Sequence, residues 1–228
     1  MAGEAVTVTP QFVERYHGCF DRTWHDDAPI GQVRFVVLDS ETTGLDPQTD
    51  RIITIGAVAV LNGEIVIEDS FDALLKVEEN TSAVTVHGIT RDQSAKGVDE
   101  PQALEVFLDY LRDGVIVGHH IGHDIATLDA AYTRHWGARL RNRSLDTMDL
   151  TLHLERAGAF VGRPAIRHFT LDALCDMFGV IPHDRHTASG DAFITAQVFL
   201  RLVRLASRFG RGTLAGVCEE FVVSEEPA

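Results

Sequence analysis

Asp39 and Glu41 stand two residues apart at the end of an apolar run, residues 33–38, that only Arg34 interrupts. The β-branched and aromatic side chains of that run favour a strand. Alternate residues of a strand share a face, so both carboxylates aim at one point where the strand meets the turn Thr42-Thr43-Gly44. Two acids held on one face repel each other and call for a cation. An isolated Asp-x-Glu is ordinarily a solvated strand end with a turn glycine. Two further segments change its meaning. In Val117-Gly118-His119-His120-Ile121-Gly122-His123-Asp124 a strand end runs into a helix, so Asp124 can look back over the same sheet edge. In His186-Thr187-Ala188-Ser189-Gly190-Asp191 a histidine precedes the last helix and an aspartate lies in its first turns. Asp39, Glu41, Asp124, Asp191 and His186 thus share one destination: carboxylates to hold a cation, and an imidazole able to accept a proton near neutral pH.

These residues need a scaffold, and the patterning supplies one. Phe12, Val13, Tyr16 and Phe20 recur at helical spacing and predict a helix over residues 10–26. Residues 51–61 are rich in Ile and Val, and Asn62-Gly63 is a strong hairpin turn into a third strand over 64–75. Asp99, Glu100 and Pro101 open a helix that runs to Leu111. A short buried strand follows at 115–117, then a helix at 121–135, and Asp146 caps a helix over 147–156 after a strand ending near Leu145. A helix over 170–178 stops at Gly179, and a last one over 187–209 puts Phe193, Ala196, Phe199, Leu200 and Val203 on one stripe. A three-strand meander followed by alternating helices and strands predicts an α/β fold with a mixed sheet flanked by helices.

The 228 residues suit one well-buried domain with terminal extensions, and 45% apolar and 24% charged residues are ordinary for a globular chain. No apolar run is long enough to span a bilayer and the first residues lack a signal-peptide pattern, so the expected location is cytoplasmic. Cys19, Cys175 and Cys218 are an odd number at unpatterned spacing, which suits neither a disulfide framework nor a cysteine-based zinc site. A net charge of −14 counts against a protein that coats nucleic acid through a broad basic field, but not against one that gathers carboxylates around metal and grips a strand end locally. Arg134, Arg139, Arg141 and Arg143, with Trp136 among them, form the local exception: a solvated helix end, or a surface that tracks phosphates.

With these motifs in order the chain resembles the DEDDh family of 3′-to-5′ exonucleases, the group of polymerase proofreading subunits, RNase T-like enzymes and oligoribonuclease. Asp39-x-Glu41-Thr42-Thr43-Gly44 resembles its first motif, His119 to Asp124 its second, and His186 with Asp191 its third. Val86-His87-Gly88-Ile89-Thr90, Leu145-Asp146-Thr147 and Leu171-Asp172-Ala173-Leu174-Cys175 extend the likeness, which covers residues 33–205. His120 departs from the Asn common in the second motif, and His123 from the Phe. The resemblance implies an RNase H-like fold with a five-stranded mixed sheet, an exonuclease domain over 31–210, an N-terminal helical extension over 1–30, and an acidic flexible tail over 211–228.

It also implies a division of labour. Two Mg²⁺ ions about 4 Å apart, with Mn²⁺ as substitute, would activate water and stabilise the leaving oxygen of a phosphodiester, and carboxylates suit such hard ions. Asp39 would bridge the ions, Glu41 and Asp191 would complete one site, Asp124 would hold the other partly through water, and His186 would be the general base. Thr42, Thr43 and Gly44 would hold the terminal nucleotide, Leu45 would wedge against its base, and His87 and His120 would line the pocket. The expected partner is the 3′ end of a single strand, DNA before RNA, with nucleoside 5′-monophosphates released and no membrane involved. An RNA exonuclease or oligoribonuclease is the alternative within the class, and a non-catalytic nucleic-acid-binding module the alternative outside it, although no acid is missing. A helical histidine-aspartate phosphohydrolase built on His119, His120, His123 and Asp124, or a zinc site from those histidines, conflicts with the Asn62-Gly63 hairpin or with ordinary packing. A polymerase or clamp partner has little support: Gln102 to Phe107 faintly resembles a clamp-binding peptide but sits inside a helix that faces the core.

Overall fold

The computed structural model describes residues 9–77, 89–162 and 168–218. Its centre is a five-stranded mixed sheet in the order β3-β2-β1-β4-β5. The strands are β1 Phe35–Thr42, β2 Ile52–Leu61, β3 Glu64–Leu74, β4 Val115–Gly118 and β5 Ser144–Asp146. β1 pairs antiparallel with β2 and β2 with β3, whereas β1–β4 and β4–β5 are parallel. Asn62 and Gly63 both take positive φ, as the tight β2–β3 turn requires.

The described helices are α1 Gln11–Gly18, α2 Arg91–Ser94, α3 Glu100–Leu111, α4 Gly122–Trp136, α5 Thr147–Arg156, α6 Leu171–Phe178, α7 Ala188–Arg208 and α8 Leu214–Cys218. The strand alternation sorts them into two layers. Phe35, Val37, Val58, Val60, Val115 and Val117 pack with α5, α6, α7 and α8 on one face. Val36, Leu38, Ile55, Ala57 and Ile116 pack with α1, α3 and α4 on the other. Each face buries its apolar residues beneath its helices.

The RNase H-like architecture expected from the sequence is the one observed, with four local differences. β1 does not end at the acids; Asp39 to Thr42 remain strand, paired with Gly56 to Ile52 of β2. The helix expected over 10–26 stops at Gly18 and tightens into a 3₁₀ turn, Cys19–Arg22. On α7, Ala196, Phe199 and Val203 of the expected stripe are buried, but Phe193 is 39% exposed, and Ala192, Thr195 and Leu202 are buried as well. α7 is pressed between the sheet and α5, α6 and α8, so its buried face is broader than a single stripe. Residues 211–218, assigned to the tail, fold back: Leu214 and Val217 are buried in α8, and Leu214 and Ala215 donate to the carbonyls of Ala28 and Asp26. No described helix is long and apolar enough to cross a membrane.

Candidate active site

β1 overhangs β4. Its last parallel pair is Val37 with Val117, and β4 ends at Gly118, so Asp39, Ser40, Glu41 and Thr42 project past the end of β4 while β2 still supports their other side. Asp39 and Glu41 lie on the face covered by α7, and Ser40 on the opposite face toward α4. The overhang leaves the Ser40 amide without a strand partner on the β4 side. Asp124, in the first turn of α4, fills that role: its Oδ1 accepts from Ser40 N–H at 2.9 Å and from Ser40 Oγ at 2.6 Å.

α7 delivers Asp191 from the other face. Thr187 caps it by accepting from Gly190 N–H at 3.1 Å, and Asp191 follows one residue later, within the first turn. The helix start lies directly on β2 at Gly56, the cross-strand partner of Asp39. Oxygens of Asp39, Glu41 and Asp191 come within 4.8 Å of one another, the group among the described residues that could share one metal ion. Asp124 approaches from beyond the strand edge and lies outside this trio. The histidines weighed as zinc ligands form no such group among the described residues.

Crowding of acids out of water has the expected electrostatic result. Burial, and then Asp124, Asp191 and Glu41, push the Asp39 carboxyl well above the usual range. Burial, and then Asp191 and Asp124, push Glu41 up to about 7. Burial raises Asp124 to about 6 against the Ser40 hydrogen bonds that favour its charged form. Oxygen-only donors in a desolvated, mutually repelling cluster fit a hard divalent cation, whose charge would compensate the repulsion.

The turn after Glu41 is built by a residue the motif reading passed over. Asp50 accepts from Thr43 Oγ1 at 2.7 Å through Oδ1 and from Asp46 N–H at 2.8 Å through Oδ2. A Cβ on Gly44 would stand 2.6 Å from that pinned carboxylate, so the turn needs glycine there. Thr42 Oγ1 donates to the Gly44 carbonyl at 2.7 Å, and Leu45 is 87% exposed at the tip. A lone Asp in a polar turn gives little signal; only its distance from Thr43 once folded reveals the role.

The second motif is clamped in the same way. Asp146 caps α5 through Met148 N–H and also accepts from the amides of His120, at 3.1 Å, and Ile121, at 3.0 Å. His120 takes φ +61°, in the left-handed region where Asn, Asp and His are enriched, which accounts for a histidine standing where Asn is common. Thr147 Oγ1 donates to the Gly118 carbonyl, so at 2.9 Å it accepts from His119 Nδ1–H, and burial holds His119 down to about 4. His119 is therefore a neutral packing residue. His123 Nε2 lies 3.5 Å from Thr42 Oγ1, beside the turn.

His186 and its neighbours are the largest departure from expectation. The His186 N–H donates to Asp191 Oδ2 at 3.2 Å, but the residue is exposed. The group seated on Asp191 Oδ1 is the Arg185 guanidinium, which also reaches Asp172 Oδ1 at 2.8 Å. Arg185 was not singled out from sequence, because a basic residue in a His-rich loop is usually solvated. His87 lies outside the described residues. Members of the arginine cluster have partners within the fold. Arg134 pairs with Glu100 and Arg143 with Asp26, and Trp136 packs on Phe12. They lie at and beyond the far end of α4, whose last residue, Trp136, is about 18 Å along the helix from Asp124 at 1.5 Å per residue.

The model of an exonuclease family, RNase T, matches residues 36–199. A PolC-type DNA polymerase III of Thermotoga maritima is 35% identical over 193 residues, covering 83% of this chain and 13% of that protein. A DNA polymerase III subunit epsilon-like protein of Rhodobacter capsulatus is 34% identical over 199 residues, covering 85% of this chain and 27% of that one. The chain thus spans a small fraction of the length of these relatives. Among solved structures, E. coli exonuclease I in complex with a dT13 oligonucleotide superposes with a TM-score of 0.66 at 19% identity, over 78% of this chain and 43% of that one. Cell-death related nuclease 4 superposes at 0.65 with 15% identity, over 79% and 66%. These structural likenesses carry the fold.

Proposed function

The chain belongs to the exonuclease family of RNase T type, DEDD 3′-to-5′ exonucleases, and from that membership we propose that it removes nucleoside 5′-monophosphates from the 3′ end of single-stranded DNA. The observation that carries this reading is the meeting of Asp39, Glu41 and Asp191 within 4.8 Å at the overhanging end of β1, with Asp124 beside them. DNA is favoured over RNA because the relatives are DNA polymerase chains and one structural neighbour holds a deoxythymidine oligonucleotide.

Asp39, Glu41 and Asp191 would hold a divalent cation, and Asp124, oriented through Oδ1 by Ser40, would support a second. Bound Mg²⁺ or Mn²⁺ supplies activation of water and stabilisation of the leaving oxygen. The chain does the remainder. His186 takes the proton from the attacking water once its loop turns the imidazole toward the acids. The Thr42-Thr43-Gly44 turn receives the terminal nucleotide on its main chain, Leu45 stands exposed to meet its base, and His120 borders it.

The test is a panel of end-labelled single-stranded DNA, duplex DNA, RNA and dinucleotides with Mg²⁺ or Mn²⁺. Stepwise shortening of single-stranded DNA from its 3′ end, abolished by EDTA, is the expected result. Preferential degradation of RNA or of dinucleotides would replace the substrate, and no metal-dependent turnover of any member would remove the enzymatic reading.

A further inference from the structure

We propose that Arg185 is a built-in counter-ion of the acid cluster, a latch that occupies Asp191 when no metal is bound and yields to metal by withdrawing onto Asp172. The proposal rests on the reading that the acids hold a divalent cation. Its basis is the double engagement of Arg185: Nη1 pairs with Asp191 Oδ1 and Nε with Asp172 Oδ1 at 2.8 Å. The two carboxylates differ in surroundings. The Asp191 side chain is 10% exposed, inside the cluster, whereas that of Asp172, in the first turn of α6, is 65% exposed. Both oxygens of Asp191 are engaged by consecutive residues of one loop, Oδ1 by the guanidinium and Oδ2 by the His186 amide. A divalent ion shared with Asp39 and Glu41 needs one of those oxygens and repels the guanidinium. Metal and Arg185 therefore compete for Asp191, and Asp172 gives the displaced guanidinium a carboxylate to keep.

The loop is constructed so that this exchange moves His186. Asp184 and His186, on either side of Arg185, take φ of +54° and +63°, the left-handed region that Asp and His tolerate better than most side chains. One end is fixed, since Thr187 Oγ1 donates to the Asp184 carbonyl at 2.7 Å and Gly190 lies against the same carbonyl with no room for a Cβ. The other ties both end on Asp191: the Arg185 pair on Oδ1 and the His186 N–H on Oδ2. A metal that takes this carboxylate loosens both and frees the segment that presents His186, so metal loading and placement of the imidazole are one coupled event.

Calorimetric Mn²⁺ titration of wild type, Arg185→Gln and Arg185→Lys tests the latch. Arg185→Gln is expected to bind Mn²⁺ at least about fivefold more tightly, the low end of ordinary coupling between two sites. Arg185→Lys keeps the charge but has no planar fork to bridge two carboxylates, so it should recover most of that gain and, as the milder change, keep the fold. In hydrogen exchange, the amides of residues 183–187 should exchange faster in wild type once Mn²⁺ is added, and Arg185→Gln should already exchange fast without metal. Mn²⁺ affinity in Arg185→Lys equal to wild type would reduce Arg185 to a point charge and overturn the latch, as would unchanged affinity in both variants. Wild type that binds no Mn²⁺ would instead remove the metal reading of the acids, and the latch with it.

Discussion

Gly56 lies directly under the first turn of α7: a Cβ placed on it would stand 2.2 Å from the backbone nitrogen of Ser189. Because Gly56 is also the cross-strand partner of Asp39, one missing side chain sets the distance between the acid on β1 and the helix that carries Asp191. Backbone atoms cannot rotate away as a side chain can. Gly56→Ala should therefore cost about 1–3 kcal/mol, as overpacking of a dense contact does, and should lower turnover more than that loss of stability explains. Urea unfolding together with kcat on a single-stranded DNA decides it; wild-type values for both would show that α7 slides freely.

The acids oppose folding when no cation is present. Glu41 is raised to about 7 and Asp124 to about 6 in the folded state, both above their unfolded values. The folded state then binds more protons than the unfolded one, so metal-free stability is highest at low pH within this range and falls as pH rises through those two values. Thermal melts of EDTA-treated protein between pH 5 and about 8 should show that decline, and Mg²⁺ or Mn²⁺ should reverse it most at the alkaline end.

Asp39→Asn and Asp191→Asn should each cut turnover by at least about a hundredfold, the scale of losing charge stabilisation at a reacting phosphate. Asp39→Asn should also raise the melting temperature without metal, because it removes one of the repelling charges. A near-wild-type rate in either purified variant would sink the assignment of the trio.

Ser40→Ala removes the 2.6 Å hydroxyl bond to Asp124 but keeps the amide bond at 2.9 Å. A hydrogen bond to a charged group contributes about 1.5–3 kcal/mol, so kcat should fall about tenfold or more with little change in KM. An unchanged kcat would mean that the main chain alone orients the carboxylate.

His186→Ala should abolish most turnover while Mn²⁺ binding measured by calorimetry is retained, since His186 touches the cluster only through its amide. His123→Ala and His120→Ala should be milder and should act on KM. If His123→Ala alone removed both activity and the bound metal, the roles within the second motif would have to be reassigned.

Much of this protein was legible one residue at a time. Strand alternation put Asp39 and Glu41 on one face, the Asn62-Gly63 turn, the Asp146 cap and the Gly179 stop marked element ends, and motif order carried the family. These are local properties, because side-chain period and capping need only a few neighbouring residues. The tertiary structure decided the rest. It joined Ser40 to Asp124 across 84 residues, because β1 happens to outrun β4. It seated the Arg185 guanidinium rather than the His186 imidazole on Asp191, used Asp50 to build the Thr42-Thr43-Gly44 turn, and carried the arginine cluster to the far end of α4. Such contacts depend on strand order, register and the seat of a helix on a sheet, and no local period encodes those.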